Sequence, residues 1–90
     1  MKSIWKYKLD QYSKLAIQMP KNSNILCVKH FQGDICLWVE ADVPNDIGEL
    51  ETRYFAIYGT NWEMDLDNSK YIGTVFDNIF VWHIYEEIVK

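Results

Sequence analysis

The chain has 90 residues, a formal net charge of −4 and an aromatic content of 16%. The length fits one domain over residues 1–90, and an apolar content of 49% excludes intrinsic disorder. The acidic balance argues against duplex nucleic acid, and the absence of a long apolar run or signal peptide argues against a membrane. We therefore expect a cytoplasmic protein in which Cys27 and Cys36 stay reduced.

Alternation of apolar and polar side chains with a period of two, the pattern of half-buried β-strands, dominates the chain. In the first strand, Trp5, Tyr7 and Leu9 share one face. The second strand stops at Pro20, which cannot donate a backbone hydrogen bond, and residues 43–48 form the clearest loop. The pattern predicts an all-β fold, a small antiparallel sandwich or barrel of about seven strands, over residues 4–9, 15–19, 26–31, 35–41, 52–58, 71–76 and 79–88.

The third and fourth strands are expected to form a hairpin that turns at residues 33–34. This register places Lys29 beside Trp38 on the outer face, as a cation–π pair or a stacking platform. It does not pair Cys27 with Cys36, which argues against an intrachain disulfide. The opposite face is expected to be core and carries Leu26, Val28, Leu37, Val39 and Ala41.

The last two strands are expected to form a second hairpin with Asp77-Asn78 as its turn. Gly73 would then lie opposite Trp82, whose ring fills the space that the glycine leaves. One face of this hairpin is core, and the reverse face is also largely apolar. Because large exposed apolar patches are rare on monomers, either another layer of the chain or a second subunit must cover it. We expect a homo-oligomer through residues 71–88.

The sequence offers little support for catalysis or metal binding. Neither His30 nor His83 has an acid and a nucleophile at the spacing of a catalytic triad. Cys27 and His30 would point to opposite faces of a strand. Residues 65–69 begin like a calcium loop, but the glycine and glutamate that such a loop requires further on are missing. We expect a protein that is not an enzyme and has no metal or cofactor.

Aromatic rings and hydrogen-bond donors make a better case for ligand binding. Two Gly-Thr pairs, Gly59-Thr60 and Gly73-Thr74, flank an acidic loop, and we expect any site at the first pair. Flat rings with nearby donors suit a planar anionic ligand such as a nucleotide, although packing is the better explanation for any single ring except Trp62, for which the two explanations are equal. Tyr54 could add a further ring. The candidate ligand-binding residues are Lys29, Trp38, Arg53, Tyr58, Thr60, Asn61 and Trp62.

Five short motifs, in order along nearly the whole chain, resemble a family of short bacteriophage proteins of unknown function. The family's pattern has a glycine after the position of Thr60, where this chain has Asn61. The resemblance implies a phage protein in the cytoplasm of a bacterial host and transfers no active site. The motifs that carry it are Ile4-Trp5-Lys6-Tyr7, Met19-Pro20, Cys36-Leu37-Trp38, Ile57-Tyr58-Gly59-Thr60 and Tyr71-Ile72-Gly73-Thr74.

The resemblance leaves three non-enzymatic functions open. The first is an anti-defence sponge that sequesters a cyclic or linear nucleotide signal, with Lys29 or Arg53 near the phosphate. Thr60 and Asn61 would donate hydrogen bonds to that ligand. The second is a protein that inhibits or adapts a host protein through exposed aromatic side chains. The third is a minor component of the virion.

Overall fold

The computed structural model describes residues 1–10, 13–42, 49–65 and 67–88. Each of the seven predicted strands is present within these residues, and the loop predicted over 43–48 lies outside them. No helix of the described chain is long and apolar enough to cross a membrane. The strands are β1 (Lys2–Leu9), β2 (Ser13–Pro20), β3 (Asn24–Phe31), β4 (Asp34–Asp42), β5 (Leu50–Gly59), β6 (Ser69–Asp77) and β7 (Phe80–Glu87).

The strands form two separate antiparallel sheets. The first has three strands in the order β1-β4-β3, and the second has four in the order β2-β5-β7-β6. Over the described residues the fold is therefore a sandwich and not a closed barrel, which decides between the two architectures that the sequence allowed.

Side chains from both sheets meet in one core. Trp5, Tyr7 and Leu9 share one face of β1, as predicted, because they lie opposite core residues of β4. The alternating pattern of the strands thus directs one apolar face of each sheet inward. The largest fully buried side chains are Phe55, Met19, Leu37, Ile57, Ile84 and Val39.

The turn of the β6–β7 hairpin lies one residue later than predicted. Asp77 pairs with Phe80, so Asn78 and Ile79 form the turn, and Asn78 adopts a positive φ of 53°. The predicted pairing of Gly73 with Trp82 is therefore wrong, and Gly73 lies opposite Ile84. A turn that moves by one residue changes cross-strand partners but leaves each side chain on its face, so the core face predicted for Val75, Trp82 and Ile84 is confirmed. The predicted pairing also puts Tyr71 on this face, but Tyr71 lies opposite Tyr85 on the outer face and is 53% exposed.

The β3–β4 hairpin is displaced by one residue in the opposite direction, since its turn lies one residue earlier than predicted. Its turn is Gln32-Gly33, with φ values of 50° and 85°, which is the pair of left-handed residues that a type I′ turn requires. Trp38 consequently lies opposite Cys27 and not beside Lys29, whose partner is Cys36. The two cysteines remain free thiols, as predicted.

Two β-bulges interrupt the edge strands β3 and β6. One lies between Ile25 and Cys27, and it turns Leu26 outward, where it is 45% exposed. The prediction of Leu26 as a core residue is wrong, and Ile25 packs against the core in its place. The other bulge lies at Ile72, between Tyr71 and Gly73. An extra residue shifts the inward and outward alternation by one, which a strict period of two cannot anticipate.

Candidate functional site

The structure places Arg53 at the edge of the core. Its Nε and Nη2 donate to the two carboxylate oxygens of Glu86 at 2.6 and 2.7 Å, and its Nη1 donates to the carbonyl of Ser23 at 2.6 Å. The bond to Glu86 raises the pKa of Arg53. These bonds tie β5 and β7 to the turn that precedes β3, so the guanidinium is engaged by the fold itself.

Two open clefts, of about 390 and 290 Å³, flank this ion pair, and both are lined by Arg53, Lys70 and Glu86. Glu86 neutralises Arg53 in each of them. Within the described residues, no group of three His, Cys, Asp or Glu side chains could hold a metal ion. We assign no ligand to these clefts.

The threonines of both Gly-Thr pairs converge on one histidine. Thr60 Oγ1 lies 2.9 Å from Nε2 of His83, and Thr74 Oγ1 lies 3.2 Å from its Nδ1. The strand order explains this, since β7 lies between β5 and β6. The hydroxyl of Tyr71 lies 2.5 Å from Thr74 Oγ1 and extends this hydrogen-bond network. His83 therefore has a hydrogen-bonding partner at each ring nitrogen and links three strands on the outer face of the sheet.

Tyr58 lies on the same outer face and is buried. Its hydroxyl donates to Asp65 at 2.8 Å, and Lys14 lies 3.5 Å from the other oxygen of that carboxylate. Burial, and secondly the bond to Asp65, raises the pKa of Tyr58, while the donated hydrogen bond lowers the pKa of Asp65. The Tyr58 hydroxyl is thus used within the fold.

Trp62 lies over Gly59 at the end of β5. A Cβ on Gly59 would stand 2.7 Å from Nε1 of Trp62, and the two indoles of Trp62 and Trp82 meet edge to face at 5.5 Å. Asn61 has a φ of 74°, in the left-handed region that glycine and asparagine favour. The first Gly-Thr pair therefore marks a close packing contact.

Lys29 and Trp38 lie on the outer face of the other sheet, away from Tyr58 and Thr60. The Phe31 and Trp38 rings meet edge to face at 5.7 Å, and Lys6 Nζ lies 5.0 Å from the Phe31 centroid. The cation–π contact expected of Lys29 and Trp38 is thus made by Lys6 and Phe31. We call this surface the basic aromatic face; its defining residues are Lys2, Lys6, Lys8, Lys29, Phe31 and Trp38.

Ion pairs on the basic aromatic face engage its carboxylates. Lys2 pairs with Glu40 and Lys8 with Asp34, both at 3.5 Å. The amino group of Met1 pairs with Asp42 at 2.8 Å and lowers the pKa of that carboxyl. In the part of the chain that the structure describes, no carboxylate lies within 4.0 Å of Lys6 or Lys29. These two ammonium groups can therefore meet an external anion.

The β6–β7 turn exposes three large apolar side chains. Phe76, Ile79 and Phe80 are 71%, 86% and 54% exposed, and we call them the apolar tip. Phe80 stacks on Trp82 at 5.6 Å, and Trp82 also contacts the half-exposed Trp62, which extends the apolar surface along the end of the sandwich.

Sequence reasoning missed part of each surface for a specific reason. It detected an apolar hairpin that needs a cover, but it assigned Ile79 to a strand because the turn was placed one residue early. It missed Phe31 because the contact with Lys6 joins strands that are distant in sequence. Lys6 could have been found, since it alternates with Trp5 and Tyr7 and must face outward.

Comparison with known proteins identifies the family and nothing further. No curated protein and no solved structure matches the chain. A family model described as a domain of unknown function, DUF7352, matches residues 1–90. The chain therefore belongs to the DUF7352 family of domains of unknown function.

Proposed function

We propose that this protein is a non-enzymatic binding protein that acts by contact with another protein through its apolar tip. The observation that carries the proposal is Ile79, which occupies a hairpin turn and is 86% exposed. The partner is a protein that this contact inhibits or adapts.

An isoleucine in a two-residue hairpin turn has no rationale in the fold itself. Such turns favour Gly, which adopts a positive φ freely, and Asn and Asp, which tolerate a positive φ and bond to the local backbone through their side chains. Ile79 gains no burial within the chain, and Phe76 and Phe80 beside it are also mostly exposed. Large apolar side chains gathered at an exposed point are typical of a binding surface.

The size of the surface fits the centre of a protein interface. At roughly 200 Å² for a fully exposed large side chain, the apolar tip and Trp62 present on the order of 500 Å² in total, with Phe76 and Phe80 on opposite faces of the hairpin. The largest apolar patch of an ordinary monomer is about 300–600 Å² and is often functional. A standard interface buries about 800 Å² on each partner, so these four side chains would supply its apolar centre and a polar rim the remainder.

Charge favours a partner with a basic rim. The chain carries a net charge of −4, and Glu63 and Asp65, both exposed, follow Trp62 in the loop beside the apolar tip. An apolar pocket bordered by Lys or Arg would complement this surface. The resemblance to short bacteriophage proteins supports a protein of the bacterial host cytoplasm as the partner. A second copy, the homo-oligomer that the sequence predicts, is the competing occupant.

Site-specific photo-crosslinking in bacterial cells tests the proposal. A crosslinking amino acid at Ile79 should capture one partner protein. Leu50 is the control position, because it is 52% exposed and lies in the β2–β5 pairing, far from the tip. The same crosslinking amino acid at Leu50 should not capture the partner. The proposal is supported if wild-type protein without the crosslinking group suppresses the capture and the Ile79→Glu variant does not. Equal capture from both positions would contradict it. Capture of the protein itself would assign the apolar tip to a second copy.

A further inference from the structure

We infer that the basic aromatic face is a second binding site, and that its ligand is a nucleotide, free or within a single strand. This goes beyond the proposed function, because the face belongs to the outer side of the three-stranded sheet and uses none of the tip residues. A base would stack on Phe31 or Trp38, and its phosphate would meet Lys6 and Lys29.

Positive charge is concentrated on this one face of an acidic protein. Of the nine basic side chains, four lysines lie here, and cross-strand pairing places them on the same side as Trp38. The β4 carboxylates on this face are Asp34, Glu40 and Asp42, and each is already paired with a lysine or with the Met1 amino group. The charge that remains for a ligand is that of Lys6 and Lys29.

The rings and the two lysines are close enough to bind one ligand together. Lys6 lies directly opposite Trp38, and Lys29 lies opposite Cys36, one step along the same face of β4. Side chains directly across a sheet have Cβ atoms about 5 Å apart, and diagonal neighbours about 7–8 Å. A lysine from each side of the central strand can therefore reach an anion held above Trp38 and Phe31.

The chemistry of the face favours a nucleotide over other anions. Phe31 is 40% exposed, and an exposed ring adds nothing to the binding of a simple inorganic anion. Every base has a flat π-face that stacks on an aromatic ring, while lysine ammonium groups pair with phosphate without demanding a fixed geometry. Two available lysines on a flat sheet are too few for duplex DNA, which is bound through many phosphate contacts.

Calorimetric titration of the wild-type protein tests the inference with four probes: AMP, cyclic di-AMP, cyclic di-GMP and a ten-residue oligothymidylate. Binding of at least one is expected. Lys6→Ala/Lys29→Ala should weaken it about tenfold or more, because it removes both charge-assisted contacts. The matched control is Lys21→Ala/Lys70→Ala, which changes the charge equally at exposed lysines off the face and should change the dissociation constant less than twofold.

The pattern of binding identifies the source of the nucleotide. Tight binding of a cyclic dinucleotide indicates a free signal molecule, and preference for the oligothymidylate indicates a single strand. In the second case two phosphate contacts predict about a sevenfold loss of affinity between 50 and 200 mM salt. Thermal unfolding of each variant establishes that it is folded. No binding by any probe, or equal weakening by both double variants, would overturn the inference.

Discussion

The indole of Trp62 stands where a side chain on Gly59 would have to be, with Nε1 2.7 Å from the ideal Cβ position. The glycine therefore allows the loop after β5 to fold back, and the ring then reaches Trp82 at the end of the core. Gly73 has an equivalent role toward the other sheet, since a Cβ there would lie 2.8 Å from Cγ1 of Val28. Both glycines of the Gly-Thr pairs are thus sites of close approach.

Gly59→Ala is expected to lower the free energy of unfolding by about 1–2 kcal/mol, because the new methyl group displaces Trp62 from its contact with Trp82. Urea unfolding followed by tryptophan fluorescence measures the change. In a Trp62→Ala background the same substitution should cost much less, since the space is then empty. An equal cost in both backgrounds would show that the indole is not what makes the glycine necessary.

Tyr58→Phe is expected to raise the pKa of the Asp65 carboxyl toward its usual value of 3.8, because the phenolic hydrogen bond is the main cause of its depression. In the wild type, the contribution of Asp65 to the free energy of unfolding is fully present above pH 3.8. It is lost as the pH falls through the depressed pKa of the folded state. NMR titration of the Asp65 side chain measures the change. Lys14→Ala serves as a comparison and should raise this pKa less.

Arg53→Ala is expected to destabilise the protein by about 3–5 kcal/mol, because it leaves the Glu86 carboxylate at the core edge without its partner. Only 18% of the Arg53 side chain and 10% of the Glu86 side chain are exposed, so water cannot replace the lost bonds. The double variant Arg53→Met/Glu86→Met should recover much of the loss. Chemical denaturation provides the measurement, and a loss below about 1 kcal/mol would place this pair with ordinary surface ion pairs.

Ile79→Gly is expected to weaken partner binding while leaving the stability of the protein nearly unchanged. It creates an Asn-Gly turn, the pair that two-residue hairpins favour, so the free energy of unfolding should fall by no more than about 0.5 kcal/mol. Partner binding should weaken at least tenfold if the apolar tip forms the centre of the interface. If the variant is as stable as the wild type and binds the partner equally well, Ile79 is not part of the interface.

The sequence by itself determined the all-β class, the seven strands and most of the inward faces, because a period of two in hydrophobicity is a local property of each strand. It could not determine the cross-strand partners. A turn displaced by one residue, later at Asn78 and earlier at Gln32, keeps every face and changes every pair. The bulges at Leu26 and Ile72 depend on how two edge strands meet, which is not encoded in either strand alone.

The candidate surfaces also have features that the sequence predicts and features that only the tertiary structure decides. The outward direction of Lys29 and Trp38 follows from alternation, whereas their separation from Thr60 and Trp62 depends on which strands share a sheet. Only the tertiary structure unites the two Gly-Thr pairs, because β7 lies between their strands and brings His83 to both hydroxyls. Sequence patterns specify which side of a strand faces water; packing between distant strands decides which residues meet there.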